Sequence, residues 1–236
     1  MAMTSFPPAA SEAAASRTRD ILAWAAGSAF MDGGMPRLWL HGTDVDTPFN
    51  VFCRWEDFSL GFHFGGPEAA NARLEAIQSD GDTGGSVIPV YCRAVRPLRL
   101  PDLYTWGQSE IVDALAEAGV LANDDEAEFV YEEASAEAVF AALEEAGYDS
   151  VIYGNRCEHK ERETDSLCVW RAELLKSPFA ASFDPADPRL LPQMPTDGRD
   201  IAAWTSIGME IEQAKERLRQ LRASGSDLVP ATLFQP

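Results

Sequence analysis

Apolar residues recur along this chain in two spacings, one typical of strands and the other typical of helices. The aromatic runs LWLHGT and FSLGFHFGG alternate in polarity and break at glycine, which predicts two short strands. The segments PEAANARLEAIQ and SEIVDALAEAGVL place apolar residues three and four positions apart, so each predicts a helix with one buried face. Pro67 would open the first of these helices, and Ser109 would cap the second.

The second half of the chain continues with the same two spacings. GGSVIPVYCRAVRPLRLPD predicts a strand or a strand pair at sheet edges, because Pro89 and Pro97 cannot donate a main-chain hydrogen bond. YDSVIYGN and DSLCVWRAELL predict two later strands, and IAAWTSIGMEIEQAKERLRQLRASG predicts a final amphipathic helix. Strands and helices do not alternate regularly and there is no glycine-rich phosphate loop, which favours an α+β fold.

Three regions follow from this pattern. Residues 1–17 are rich in Ala, Ser and Pro, which predicts a disordered leader ahead of a first helix from Arg19 to Phe30. Residues 18–190 would form one domain with a helical insertion at about 107–146. Residues 191–236 would be a Pro-rich segment and the C-terminal helix, which could dock on the domain or mediate association.

Charge narrows the classes of partner. The 19 basic and 38 acidic residues give a formal net charge of −19. Bulk nucleic-acid binding is therefore not expected, because it relies on Lys and Arg to neutralise phosphates, although a nucleotide-sized ligand needs only a local pocket. Acids are dense between Asn123 and Glu145, where they would form either a solvated face or a partner surface.

Location and metal content can also be predicted. No apolar run approaches the roughly 20 residues of a membrane span, and the N-terminus has no secretory pattern. We therefore expect a cytoplasmic protein without membrane contact, although such a leader also suits an effector exported by a specialised system. The chain has no CxxC pair, so we expect free thiols and no metal site. The four cysteines are Cys53, Cys92, Cys157 and Cys168.

Two of the three histidines lie in the aromatic strands. His41 is followed by Gly42 and Thr43, which would offer a ring nitrogen, a main chain open to close approach and a hydroxyl group. In the second run, alternation would direct Phe62 and Phe64 to the core and His63 toward the space that His41 faces. A flat ring there could stack on a heteroaromatic ligand. Both histidines could instead be core residues.

Carboxylates follow a later strand. After Asn155 comes the loop RCEHKERET, which carries Glu158 and Glu163. One of them could stabilise a developing cation, although a solvated surface position is typical for a Glu in so charged a loop. His159, beside Glu158, is more simply a surface residue.

Taken together and in this order, the segments LHGT, LGFHFGGPEAANARL and GYDSVIYGNRCE resemble the ADP-ribosyltransferase superfamily. The resemblance is to its poly-ADP-ribose-polymerase-like and diphtheria-toxin-like branch, and especially to bacterial and phage polyvalent-protein or effector members. It covers roughly Leu38 to Pro188. His63 stands where the family usually has tyrosine. No glutamate directly precedes the LCVW strand, where that position falls at Asp165 or Ser166.

The resemblance implies a split antiparallel β-sandwich with flanking helices. It implies a transferase that uses NAD as substrate, moves ADP-ribose to an unidentified protein or other macromolecule and releases nicotinamide. His41, Gly42 and Thr43 would bind NAD, as would the Phe62, His63 and Phe64 run, with His41 on a ribose hydroxyl and His63 stacked on nicotinamide. Glu158 would be the catalytic carboxylate, with Glu163 or Asp165 as alternatives.

Three other interpretations remain open at this stage. The same fold could hydrolyse NAD with water as acceptor. It could be a catalytically silent module that binds NAD or ADP-ribose. The chain could also be an unrelated α+β domain.

Overall fold

The computed structural model describes residues 8–45, 49–53, 60–79, 84–132, 135–156, 158 and 164–225. This part of the chain is an α+β protein, as the sequence predicts. Its α-helices are α1 (Pro8–Trp24), α2 (Pro67–Ser79), α3 (Gln108–Glu117), α4 (Asp124–Glu132), α5 (Ala136–Glu145) and α6 (Gly198–Gly225). Its strands are β1 (Met31–Asp32), β2 (Met35–Pro36), β3 (Leu38–Thr43), β4 (Phe62–Phe64), β5 (Ser86–Cys92), β6 (Pro97–Leu100), β7 (Ser150–Asn155), β8 (Thr164–Val169) and β9 (Leu175–Lys176).

Two sheets carry the fold, beside a small β1–β2 ladder. One sheet has the order β3-β5-β9 and the other has the order β4-β8-β7-β6. Neighbouring strands are antiparallel except β6 and β7, which are parallel. Within the described residues the sheets touch edge to edge at one bridge, where Leu40 pairs with Gly65, and separate beyond it.

The strand that contains Pro89 is central in its sheet, not at an edge. Pro89 pairs with Leu40, whose main-chain N–H and C=O point away from β5 and bond to Gly65. Residues opposite each other in antiparallel strands alternate between hydrogen-bonded and non-bonded pairs, and Pro89 occupies a non-bonded one. The missing N–H therefore removes no bond from the ladder.

Two hydrophobic layers hold the sheets and helices together. The first lies between the sheets and includes Trp39, Val90 and Phe64. The second lies between the four-stranded sheet and helices α3 to α6 and includes Leu115, Phe140 and Val151. The helical insertion predicted from the sequence thus covers one face of a sheet.

Helix α6 is part of this second layer. Ile211 and Leu218 are fully buried in it. Arg222 donates two hydrogen bonds to Glu126, whose side chain is fully buried on α4. The C-terminal helix therefore docks on the domain, and the boundary expected at residue 190 does not separate a distinct unit.

The first helix is longer at its N-terminus and shorter at its C-terminus than the sequence predicts. It begins at Pro8 and ends at Trp24, so residues 8–17 are helical where a disordered leader is expected. Alanine is the strongest helix former, which explains why the AASEAAAS run adopts this conformation. Gly27, with φ of +83°, lies in the turn that follows.

Two further local expectations differ from the structure. Helix α3 has Gly107 at its N-cap, whereas Ser109 lies within the helix and donates to Glu110. The segment DSLCVWRAELL is not one strand: β8 ends at Val169, and a 3₁₀ turn at Ala172–Leu174 follows. The last β-strand, β9, then pairs with β5 in the other sheet.

The cysteines that the structure describes, Cys53, Cys92 and Cys168, are free thiols in buried positions. Burial raises the pKa of Cys53 to about 12 and that of Cys92 to about 12, which keeps both thiols protonated. Within the described ranges no group of three or more His, Cys, Asp and Glu side chains could hold a metal ion. No described helix is long and apolar enough to cross a membrane. Cys157 lies outside the described residues.

Candidate functional site

A cleft opens where the two sheets separate. Leu40 and Gly65 exchange hydrogen bonds of 3.0 and 2.9 Å, and two residues further along each strand the edges are no longer paired. Because main-chain groups alternate in direction along a strand, Gly42 directs its N–H and C=O to the same side as Leu40, into this gap. His41 and Gly42 thus directly follow the Leu40–Gly65 bridge, the pairing that joins the two sheets.

His41 is fixed by the opposite strand. Its Nδ1 lies 2.7 Å from the main-chain oxygen of His63, and since a carbonyl can only accept, Nδ1 carries the hydrogen. Burial lowers the pKa of His41, so the neutral ring has Nε2 as an acceptor. The ring packs against Phe52 and Phe64 at centroid distances of 5.2 and 5.4 Å.

His63 points to the other face of its sheet. Its ring lies against Trp106 and Tyr153, with centroids 5.2 and 5.7 Å away, and its Nδ1 is 2.9 Å from the Tyr153 hydroxyl oxygen. The two imidazoles thus contact different rings, although His41 and His63 both line the cleft described below. Burial lowers the pKa of His63 to about 4, so this ring is neutral at pH 7.

Glu158 lies beyond the end of β7 and is held by Asn155. The Asn155 side-chain amide donates to Glu158 Oε2 at 2.7 Å, and the Glu158 main-chain N–H donates to Asn155 Oδ1 at 3.0 Å. The same turn is anchored by Asp102, whose carboxylate accepts from the Arg156 main-chain N–H at 2.8 Å. These bonds hold the Glu158 carboxylate beside Asn155 in an otherwise charged loop.

These elements enclose a cleft of about 70 Å³ between β3, β4, α2 and the ends of β7 and β8. It is lined by Leu40, His41, Gly42, His63, Phe64, Gly65, Ala69, Ala70, Arg73, Tyr153, Glu158 and Ser166. The first strand, the second strand and the carboxylate loop, which are far apart in sequence, therefore meet at one opening. Glu158 contributes a carboxyl group to this lining and Arg73 contributes a guanidinium group.

The packing of α2 on β3 requires glycine at position 42. A Cβ atom placed there would lie 2.7 Å from the main-chain oxygen of Ala70 and 3.2 Å from the Arg73 Cβ. The missing side chain therefore allows α2 to pack against β3, whereas the sequence interpretation was that it admits a ligand. The main-chain groups of Gly42 still face the gap.

Some predicted site residues lie outside the cleft. Thr43 is buried and its hydroxyl accepts from the Val45 main-chain N–H. Phe62 packs on Phe52 in the core, 4.8 Å between centroids. Asp165 is on the opposite face of β8 from Ser166 and pairs with Arg99 at 2.9 Å, so this alternative acid does not reach the cleft. Glu163 and His159 lie outside the described residues.

Sequence reasoning missed four lining or supporting residues: Asn155, Tyr153, Ser166 and Arg73. Tyr153 and Asn155 are two apart on β7, and Ser166 pairs with Tyr153 across β7 and β8, so strand alternation places all three on the face that carries His63. The signal was a pair of polar residues with period two inside otherwise apolar strands. Only the register shows that they meet.

Comparison of the chain with protein families, with curated proteins and with solved structures finds no match. The geometry of the cleft is therefore the basis for a functional interpretation.

Proposed function

We propose that this protein transfers ADP-ribose from NAD to a macromolecular acceptor and releases nicotinamide. The observation that carries the proposal is the convergence of three segments, chosen from the sequence for their resemblance to ADP-ribosyltransferases, on one cleft. His41 and Gly42, then His63, then Glu158 arrive there from β3, β4 and the loop after β7. A split between two sheets is also the arrangement that the resemblance implies.

The main chain of Gly42 supplies the feature needed to recognise a carboxamide. Its N–H and C=O face the gap, where one donor and one acceptor side by side match the C=O and NH₂ of nicotinamide. Two such bonds fix the plane of an amide without ordering any side chain.

His41 supplies an acceptor beside it. With Nδ1–H committed to the main chain of His63, the neutral ring offers the Nε2 lone pair, which accepts from a hydroxyl such as that of a ribose. The low pKa of His41, caused mainly by burial, keeps this lone pair free of a proton.

Glu158 supplies the charge for the bond-breaking step. Loss of nicotinamide from NAD builds positive charge on the ribose, as in glycoside hydrolysis. A carboxylate fixed beside that ring stabilises the transition state more than the ground state. Because Asn155 already holds the carboxylate, little reorganisation is needed during the reaction.

A second candidate function has its own support. The cleft encloses about 70 Å³, whereas ligand pockets span roughly 300 to 1,000 Å³. His63 is engaged with Tyr153 and Trp106, and its pKa, lowered to about 4 by burial, reflects an enclosed ring. Both observations favour a catalytically silent module that binds NAD or ADP-ribose after opening.

Proton NMR of the full chain mixed with NAD separates these functions. Saturation transfer to NAD reports binding, and the appearance of free nicotinamide over hours reports cleavage. Release of nicotinamide together with attachment of ADP-ribose to a protein from an added cell extract supports the transferase. Release of nicotinamide without such attachment indicates hydrolysis. Binding without release, even with extract, supports the silent module, and absence of both signals refutes the proposal.

A further inference from the structure

Three buried polar residues lie behind Glu158. Asn155 and Ser166 are 3% and 1% exposed, and Tyr153 is 4% exposed. They lie on the face of the four-stranded sheet that carries His63. We call Glu158, Asn155, Ser166, Tyr153 and His63 the buried polar network.

The hydrogen-bond directions in this network are determined. Asn155 uses its two amide hydrogens on Glu158 Oε2 at 2.7 Å and on Ser166 Oγ at 3.0 Å, while its Oδ1 accepts the Glu158 main-chain N–H. These partners fix the orientation of the amide, since a carboxylate can only accept and a main-chain N–H can only donate.

The direction continues beyond Ser166. Ser166 pairs with Tyr153 across β7 and β8, and because its oxygen accepts from Asn155, its hydroxyl hydrogen remains a donor. Burial raises the pKa of Tyr153, so the phenol keeps its hydrogen and donates it to His63 Nδ1, 2.9 Å away. One Asn155 hydrogen thus points to Glu158 and the other to Ser166, and a phenol that donates to Nδ1 leaves the His63 hydrogen on Nε2.

We propose that Asn155 is a positioning residue: it holds the Glu158 carboxylate at the cleft and is itself oriented by Ser166 within the buried polar network. An amide left unpaired in this layer would lose its hydrogen bonds to water without replacing them, which is unfavourable. The network therefore favours one rotamer of Asn155 and, through it, one position of Glu158. Its role in the reaction rests on the proposed function, but the network itself does not.

The first test needs no activity. In ¹⁵N-labelled protein, the side-chain amide signals of Asn155 are assigned from their loss in Asn155→Asp. We expect both hydrogens to exchange slowly with water. Glu158→Gln, which replaces the charged acceptor by a neutral one, should shift the Asn155 amide signals, and Ser166→Ala, which removes an acceptor, should shift them and speed their exchange. Asp165→Asn changes a neighbouring carboxylate that faces Arg99 and should leave the signals unchanged. Asn155 amide signals that do not shift in Glu158→Gln or in Ser166→Ala would overturn the network.

The second test reads the tautomer of His63. Long-range ¹H–¹⁵N spectra distinguish Nδ1–H from Nε2–H, and the three histidines are assigned by single substitutions. We expect His63 as Nε2–H and His41 as Nδ1–H at pH 7, with Tyr153→Phe releasing His63 from its single tautomer. His63 found as Nδ1–H in the natural protein would contradict the direction of the network.

The third test concerns the reaction and is made if nicotinamide release is observed. Asn155→Asp replaces a donor by a carboxylate beside Glu158, so kcat should fall at least tenfold at neutral pH while KM for NAD changes little. A proton shared by the two carboxyls restores the missing bond, so kcat should recover as the pH falls toward 5. Equal loss at every pH would reduce Asn155 to a structural role. If the natural protein releases no nicotinamide, the proposed function fails, and the two NMR tests still decide on the network.

Discussion

The Nδ1 atom of His41 is hydrogen-bonded to the main-chain oxygen of His63, 2.7 Å away, across the line where the two sheets separate. An imidazole on one sheet thus takes a position that a main-chain N–H would occupy if the ladder continued. The main-chain groups of Gly42, next along the strand, are thereby left to face the cleft. This relationship links the two histidine-bearing segments and defines the geometry on which the proposed function depends.

Glu158→Gln should abolish turnover and preserve NAD binding. The amide oxygen still accepts from Asn155, so the local structure is kept, while the charge that stabilises the cationic ribose is lost. Removal of a preorganised electrostatic group typically costs on the order of 10² to 10³ in rate. Nicotinamide release measures the rate and saturation transfer measures binding. Asp165→Asn, which removes a carboxylate outside the cleft, should retain the full rate. An unchanged rate in Glu158→Gln would remove this residue from the mechanism.

The folded state should lose stability between about pH 6.5 and pH 4 because of His63. The pKa of His63 is lowered to about 4 by burial, so in this window the unfolded chain takes up a proton at His63 and the native protein does not. The stabilisation of the folded state by neutral His63 is complete above pH 6.5. This stabilisation, on the order of 2 to 3 kcal/mol, is lost as the pH falls toward 4.

Urea unfolding at pH 7 and at pH 4.5 tests this contribution. His63→Gln cannot titrate at this position, so its stability should change less between the two pH values than that of the natural protein. Identical pH dependence in the two proteins would show that His63 is accessible to protons in the native state.

Gly42→Ala should destabilise the protein by about 1 to 3 kcal/mol, because its Cβ would lie 2.7 Å from the main-chain oxygen of Ala70 and α2 would have to move. Gly198→Ala is the matched control: no atom lies within 4 Å of a Cβ placed there, and it opens α6. The control should be neutral or slightly stabilising. Urea midpoints report both effects, and a neutral Gly42→Ala would mean that α2 does not pack tightly on β3.

Ile211→Ala should cost about 2 to 5 kcal/mol, as expected for a large buried aliphatic side chain. Ile211 on α6 is fully buried, whereas Met209, two residues earlier on the same helix, is 60% exposed. Met209→Ala should therefore change the free energy of unfolding by less than about 0.5 kcal/mol. Equal effects of the two substitutions would show that α6 does not dock on the domain.

Local pattern was sufficient for most of the elements. Alternating aromatic residues before a glycine predicted β3 and β4, and Pro67 with apolar residues three and four apart predicted α2, all near their observed positions. It failed at α1, where composition suggested a leader but alanine favours a helix. It also failed at the strand predicted across Val169, where the chain turns and passes to the other sheet.

By itself the sequence determined the fold class and the segments that bear chemistry, because spacing and residue type are local properties. The tertiary structure decided which of them meet. It directed Asp165 to Arg99, because strand alternation selects the face of β8, and it brought Glu158 to Asn155 at the cleft. It also buried α6, since an amphipathic face shows that a helix docks but not on which surface.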